Sequence, residues 1–283
     1  MSEAPFADVA RRIGLVVNTE RDAARSVAKE TRVFWESRGH EVVEDDWTQP
    51  EAYFGDKPVD LAICLGGDGT MLRTVHFATP ASVPVLGVNL GTLGYLAGIE
   101  PNSIESAFEA LERGAYEIDE RMTLDITFED DRGSNSYDAL NEAVIERIAP
   151  GHTIRVRVDI GGTPFLTYAA DGFLVTTPSG STAYNLSVRG PIVSPRVRAI
   201  VLTPIAPHML FDRSLVIEPE ETVEFELLPV REASLVVDGR PITTLQPGQT
   251  VTVRAGARPA RLVTFDRADF YGVLRAKFNL TDR

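Results

Sequence analysis

The sequence predicts two domains, an N-terminal α/β domain on a parallel sheet and a C-terminal all-β, sandwich-like domain. Three observations carry this. Apolar runs of strand length alternate with helical segments over residues 1–117. Near residue 118 the period of the apolar pattern changes from 3.6 to 2 and stays there to residue 266. Residues 267–283 then return to helical spacing, which predicts a tail helix packing back on the first domain.

The elements follow in order. Residues 12–18 (RIGLVVN) are a short apolar run between polar neighbours, as a buried strand requires. Residues 20–38 are rich in Ala, Arg, Lys and Glu, with Val27, Phe34 and Trp35 as apolar markers, and Gly39 stops the helix. VDLAICL at 59–65 is a second buried strand running into GGDGT; 70–78 is helical, and VPVLGV at 83–88 is a third strand. Asn102 and Glu105 have the spacing of a capping box for SIESAFEALER, which Gly114 ends.

Beyond residue 118, Ile154, Val156, Val158 and Ile160 alternate with Arg155, Arg157 and Asp159, and Val223, Phe225 and Leu227 alternate with Glu224 and Glu226. Further short strands are predicted at 197–203, 214–218, 234–237, 250–254 and 261–265, separated by the turn sequences DDRGSN, GGTP, VDGRP and QPGQ. In the tail, Phe270, Leu274 and Phe278 share a helix face. No linker separates the domains, so a ligand cleft between them is expected.

Composition excludes several function classes. The chain has 283 residues, 43% of them apolar, enough for a core without disulfide or metal staples. With 41 acidic and 28 basic residues the net charge is -13, so a nucleic-acid surface is not expected. Cys64 is the only cysteine, which rules out an intrachain disulfide and a thiolate zinc site. No run approaches the roughly 18 apolar residues of a membrane span, and MSEAPFADVARR lacks a signal-length apolar stretch. A cytoplasmic protein without membrane partners is expected.

Four motifs carry chemistry. In LGGDGTML (65–72), Gly66, Gly67 and Gly69 lie between a strand and a helix start near Thr70, where backbone N–H groups and the helix dipole suit a phosphate. Asp68 inside such a loop suits a proton acceptor for an attacking hydroxyl, or a partner for sugar hydroxyls; a tight turn with a solvated cap is the structural alternative. In GVNLGTLGYLAG, Tyr95 could stack on a ring or pack in an interface. In ALNEAVI, Asn141 and Glu142 could grip ribose hydroxyls or mark a turn or edge position. The segment DGFLVTTPSGSTAYNLSVRGPI (171–192) is dense in hydroxyls, as recognition of a polar, hydroxyl-rich ligand demands. No Walker loop, dinucleotide fingerprint or protein-kinase signature is present.

Taken together, GGDGT at 66–70, NE at 141–142, DGFLVTTPSGSTAY at 171–184 and PIAPHMLFDRSLVI at 204–217 resemble the NAD kinases, the ATP–NAD 2′-phosphotransferases. The resemblance runs from residue 12 to about 275. It implies phosphoryl transfer from ATP, another nucleoside triphosphate or polyphosphate to the 2′-hydroxyl of the adenosine ribose of NAD. It also implies Mg2+ or another divalent metal carried on the donor phosphates, with no metal ligands from protein side chains, and a homodimer or homotetramer. Asp68 matches the family's general base. Gly66, Gly67, Gly69, Thr70 and Arg73 match the phosphate-donor loop. The resemblance implies dinucleotide contacts from Gly67, Asp68, Gly69, Tyr95, Asn141 and Glu142. It extends them to Asp171 near the nicotinamide and to Ser179, Thr182, Ala183, Tyr184 and Ser187. Thr92 stands where many members carry a basic residue. A lipid or diacylglycerol-type kinase, sharing the GGDG loop, is the alternative; it calls for an apolar acceptor pocket.

An anionic ligand on an acidic protein needs local positive charge. Arg73, Arg189 and Arg213 are the candidates, because Lys29, Lys57 and Lys277 all lie outside the motifs. The acidic residues, such as Glu224 and Glu226, are expected to face solvent. His208 is read as a packing or hydrogen-bonding residue and Cys64 as a buried, inert thiol. The Arg-rich, Lys-poor, acidic composition suggests a salt-adapted archaeon as the source.

Overall fold

The computed structural model describes residues 11–46, 59–91, 94–96, 98–131, 133–265 and 270–280; Lys57 and Thr92 lie outside these. The chain divides into two units, Met1–Glu120 with Ala260–Arg283, and Arg121–Pro259.

The first unit begins with β1 (Arg12–Val17), α1 (Asp22–Glu36), β2 (Glu41–Asp46), β3 (Leu61–Gly66), α2 (Asp68–Ala78) and β4 (Val85–Asn89). It continues with α3 (Ile104–Glu112) and β5 (Glu117–Arg121). β1 pairs in parallel with β2 and β3, and β3 with β4. All six residues of β3 are buried, as a strand covered on both faces must be, which explains its unbroken apolar run. Ile13, Leu15, Val17, Leu61, Ile63, Leu65, Leu86 and Val88 meet Ala24, Ala28 and Trp35 of α1 and Phe108 and Leu111 of α3 in one core. Gly39 and Gly114 follow α1 and α3 with φ of +84° and +68°, the left-handed conformation that ends a helix.

The expected capping box does not form. Pro101 starts a 3-10 turn over Pro101–Ser103, so the chain is already winding before Asn102 can cap it. Ser103 is the N-cap of α3 without a side-chain bond to the helix, and the Asn102 side chain instead accepts the Ser103 hydroxyl at 3.2 Å.

The second unit contains β6 (Leu124–Asp130), β7 (Gly133–Ala139), β8 (Glu142–Arg147), β9 (Ile154–Ile160), β10 (Thr163–Ala170) and β11 (Gly172–Thr176). The short α4 (Tyr184–Ser187) follows, then β12 (Ile200–Ile205), β13 (Leu215–Ile217), β14 (Val223–Leu227), β15 (Ala233–Val237), β16 (Arg240–Leu245) and β17 (Thr250–Ala255). Two six-stranded sheets result, in the orders β10-β9-β14-β17-β6-β7 and β13-β12-β11-β8-β15-β16. Their facing side chains share one core, with Val156, Val158, Phe225 and Val253 from the first and Ile145, Phe173, Leu202 and Leu235 from the second. The outward residues of β9 and β14 are polar; Glu224 is exposed, and Glu226 pairs with Arg157.

β11 breaks the alternation, with all five residues buried. Asn185, fully buried, accepts the Thr203 hydroxyl of β12 at 2.7 Å.

The strand expected at 261–265 forms as β18 (Ala260–Thr264), but in the first unit. It joins the parallel sheet beside β4, with Leu262 opposite Val85, in the order β2-β1-β3-β4-β18-β5. Its apolar pattern reports burial, which either sheet could supply. The first sheet also takes β5, so the change of period near residue 118 precedes the change of unit by a few residues. The tail forms α5 (Phe270–Phe278), none of it fully buried.

Candidate active site

The strand order makes β1 and β3 a switch point: the chain leaves β1 toward β2 on one side and β3 toward β4 on the other. Crevices for ligands open at the carboxyl ends of such strands. Asn18 follows β1 and Gly66 ends β3, and the Asn18 amide donates to the Thr70 hydroxyl at 3.4 Å.

The GGDGT residues divide by role. A Cβ on Gly66 would stand 2.3 Å from the Thr70 hydroxyl, so this glycine is required by packing. Cβ atoms on Gly67 or Gly69 would meet nothing within 4 Å. The protein's own packing does not require glycine at either place, whereas an approaching phosphate would. Thr70 is buried with its hydroxyl toward Asn18. The helix starts at Asp68, earlier than the expected Thr70, with Gly67 as N-cap. Asp68 thus stands in the first turn, where a carboxylate is favoured by the helix dipole. Arg73 lies half-buried farther along α2.

Asp68 is held from a second segment. Its carboxylate accepts the backbone N–H of Tyr95 at 3.0 Å and of Leu96 at 3.2 Å. Gly94 makes this approach possible, since a Cβ there would lie 2.1 Å from Asp68 Oδ1. Two N–H bonds leave further lone pairs of the half-exposed carboxylate free to take a proton. Burial first, then the charge of Asp68, push the Tyr95 hydroxyl upward. The ring of Tyr95 carries Lys277 Nζ of α5, 4.0 Å from its centroid. Lys277 therefore reaches a motif it is remote from in sequence.

The second unit brings Asn141, Glu142, Asp171 and Tyr184 together. Asn141 and Glu142 are both buried at the turn into β8. The Asn141 carbonyl accepts the Thr176 hydroxyl at 2.8 Å and the Thr177 N–H at 2.9 Å. Asp238, in the β15–β16 hairpin, accepts the backbone N–H groups of Leu140, Asn141 and Glu142. Burial, and then the Asp238 charge, push Glu142 up to about 8. Asp171 pairs with Arg147 at 3.0 Å. Tyr184 is pushed upward by burial and by the charges of Glu146, Glu142 and Asp171.

Much of the hydroxyl density in 171–192 is structural. Thr177 donates to the Leu140 carbonyl at 2.6 Å, and Ser181 accepts the Val193 N–H at 2.9 Å. Ser179 is buried, with Arg121 donating to its hydroxyl at 3.4 Å. Thr182 and Ala183 are half-buried, and Tyr184 and Ser187 are exposed. The structural hydroxyls, Thr177 and Ser181, are not among the candidate ligand contacts. Arg189 is exposed with φ +67°, Arg213 is exposed beside Asp212 at 3.4 Å, and exposed His208 donates its N–H to the Ala169 carbonyl. Cys64 is buried and its thiol is pushed up to about 12 by desolvation.

Sequence reading missed Asp238, Asn18 and Lys277. Asp238 was visible only as part of the turn sequence VDGRP.

Known proteins show the same plan. Residues 9–116 match the family model of the ATP-NAD kinase N-terminal domain, and residues 140–265 match the ATP-NAD kinase C-terminal domain. The chain is 39% identical to the NAD kinase of Wolinella succinogenes over 223 residues, 79% of this chain and 77% of that protein. It is 37% identical to the NAD kinase of Moorella thermoacetica over 276 residues, 94% and 89% of the two chains. Both relatives are bacterial, and they lend nothing to the archaeal source expected from composition. The fold matches yeast NADH kinase complexed with NADH, with TM-score 0.87 and 24% identity over 99% of this chain and 90% of that one. It also matches an NAD kinase from Archaeoglobus fulgidus in complex with ATP, with TM-score 0.75 and 25% identity over 95% and 98%. The chain belongs to the NAD kinase family.

Proposed function

We propose that the chain phosphorylates the 2′-hydroxyl of the adenosine ribose of NAD to give NADP, with Asp68 as general base. The single observation that carries this is the Asp68 carboxylate, fixed by the Tyr95 and Leu96 N–H groups in the first turn of α2. In this reading the 2′-hydroxyl gives its proton to Asp68 and its oxygen attacks the terminal phosphorus of the donor. The bond to the bridging oxygen breaks, and ADP leaves when ATP is the donor. Gly66, Gly67, Gly69, Thr70 and Arg73 form the donor loop, with the open backbone at Gly67 and Gly69 and the dipole of α2 toward the phosphates. Asn141 and Glu142 hold the ribose. Tyr95, Ser179, Thr182, Ala183, Tyr184 and Ser187 line the dinucleotide, and Asp171 lies toward the nicotinamide.

Among the described residues no three His, Cys, Asp or Glu side chains gather to hold a metal. One carboxylate at a helix start suits Mg2+ brought in on the donor phosphates, where the ion neutralises developing charge. The lipid-kinase alternative calls for an apolar acceptor pocket, whereas the acceptor-side residues here are an amide, carboxylates and hydroxyls. A homodimer or homotetramer in the cytoplasm completes the proposal. No described helix is long and apolar enough to cross a membrane.

The test is NADP formation from NAD, ATP or polyphosphate and Mg2+, read with an NADP-specific dehydrogenase over a salt series. Asp68→Asn should lose roughly two to four decades of kcat with the NAD affinity kept. Absence of NADP with every donor sinks the activity, and near-normal turnover of Asp68→Asn removes the base.

A further inference from the structure

The hairpin between β15 and β16 is tied to the start of β8. Asp238 and Gly239 occupy its two central positions with φ of +46° and +73°, the left-handed pair of a tight hairpin. The hairpin closes without help from an aspartate side chain, yet the Asp238 carboxylate is used three times. Oδ2 accepts the Leu140 N–H at 2.8 Å, and Oδ1 accepts those of Asn141 at 2.8 Å and Glu142 at 3.0 Å. The Asp238 N–H in turn donates to the Glu142 carbonyl at 3.0 Å. Four bonds therefore fix the backbone of Leu140, Asn141 and Glu142 to a turn nearly a hundred residues away, three of them on the Asn141–Glu142 pair.

The side chain of Glu142 shows what this backbone grip leaves open. Glu142 is 6% exposed, and its Oε2 is buried without a hydrogen-bond partner. Asp238 faces it from the β15–β16 turn, and Tyr184 of α4 lies within reach of its charge. Thr176 stands opposite it on β11. Two carboxyls in one buried place do not both ionise. Burial raises Asp238, against the three N–H donors and the Arg240 charge that favour its anion, and burial followed by the Asp238 charge pushes Glu142 up to about 8.

The geometry points to Asp238 as a positioning residue for the dinucleotide, one that sets where Asn141 and Glu142 stand without touching the ligand. The inference rests on the reading that Glu142 contacts NAD. It assigns to the VDGRP turn a share in NAD affinity and in its pH dependence.

The experiment compares Asp238→Asn, Glu142→Gln and the double variant by steady-state NADP formation between pH 6 and 9, with NAD and ATP varied separately. Thermal unfolding checks each variant. Asparagine tolerates the left-handed backbone but turns an N–H toward a donor where a carboxylate oxygen stood. The NAD KM of Asp238→Asn should rise roughly tenfold, with kcat and the ATP KM changed by less than about threefold. Because the two residues act as a unit, the double variant should be little worse than Glu142→Gln alone. The pH at which the NAD KM turns should move below that of the unaltered protein, since a buried negative neighbour is gone.

Unchanged NAD KM and pH profile in Asp238→Asn, with Glu142→Gln impaired, overturn the inference and leave the site reading intact. An unchanged NAD KM in Glu142→Gln overturns the site reading and this inference with it. Should Asp238→Asn not fold, Asp238→Glu keeps the charge but displaces it by a methylene. Its NAD KM should rise while the pH profile holds, and an unaltered KM refutes the positioning role.

Discussion

Gly94→Ala is a direct test of the Asp68 geometry. The added Cβ would lie 2.1 Å from Oδ1, 2.8 Å from Cγ and 3.1 Å from Oδ2 of Asp68. Restoring the ordinary contact distance of 3.4 Å means moving Oδ1 by about 1.3 Å. That motion breaks the bonds from Tyr95 and Leu96, at 3.0 and 3.2 Å. Charge-assisted bonds of this kind contribute about 1.5–3 kcal/mol each in protected places. Asp68 is half-exposed, however, so water replaces much of what is lost and Tm should fall by only a few degrees. The catalytic cost is larger, because a displacement of about 1 Å costs on the order of a hundredfold in rate. The expected result is kcat lowered about a hundredfold in the NADP assay with a folded protein. Gly98→Ala is the control, since its Cβ meets only the Val263 carbonyl, at 3.7 Å. A kcat for Gly94→Ala as good as that of Gly98→Ala would refute the claim that this glycine admits a working carboxylate.

Three further predictions follow from burial. Asn185→Ala removes amide bonds to the Ser181 and Pro191 carbonyls and the acceptor of the Thr203 hydroxyl, all at a fully buried place. Urea unfolding should show a loss of about 2–4 kcal/mol, and a loss near zero would contradict the accounting. Cys64 should resist a thiol reagent at pH 8 in the folded protein and react once urea unfolds it, because burial pushes its thiol up to about 12. Rapid reaction without denaturant would show that β3 opens readily. Glu142 binds its proton up to about pH 8 when folded, against an ordinary value of 4.5 when unfolded. Between these values the folded state holds the extra proton, so stability is full below the lower one and is lost as pH rises through the upper one. Tm should decline over that window and level off above it, and Glu142→Gln should flatten the slope; a profile shared by both proteins would place the proton elsewhere.

The sequence by itself determined the elements whose signal is local. The buried run of β3 and the alternation in β9 and β14 report burial through side-chain period. Gly39 and Gly114 end their helices through a backbone freedom that belongs to the residue. The GGDGT loop was legible because the strand before it and the helix after it were. Tertiary structure decided what depends on partners distant in the chain. Leu262 pairs with Val85 in the first sheet although the strands before it in sequence belong to the second unit. Thr177 and Ser181 spend their hydroxyls on the Leu140 carbonyl and the Val193 N–H, though the composition of their segment reads as ligand-binding. Lys277 reaches the Tyr95 ring, and Asp238 takes up the N–H groups of Asn141 and Glu142 from a hairpin that sequence reading counted only as a turn. The physical reason is the same in each case. A residue's type fixes which bonds it can make and which backbone shapes it tolerates, but a hydrogen bond or ion contact needs a second group, and only the folded chain brings that group within 3–4 Å.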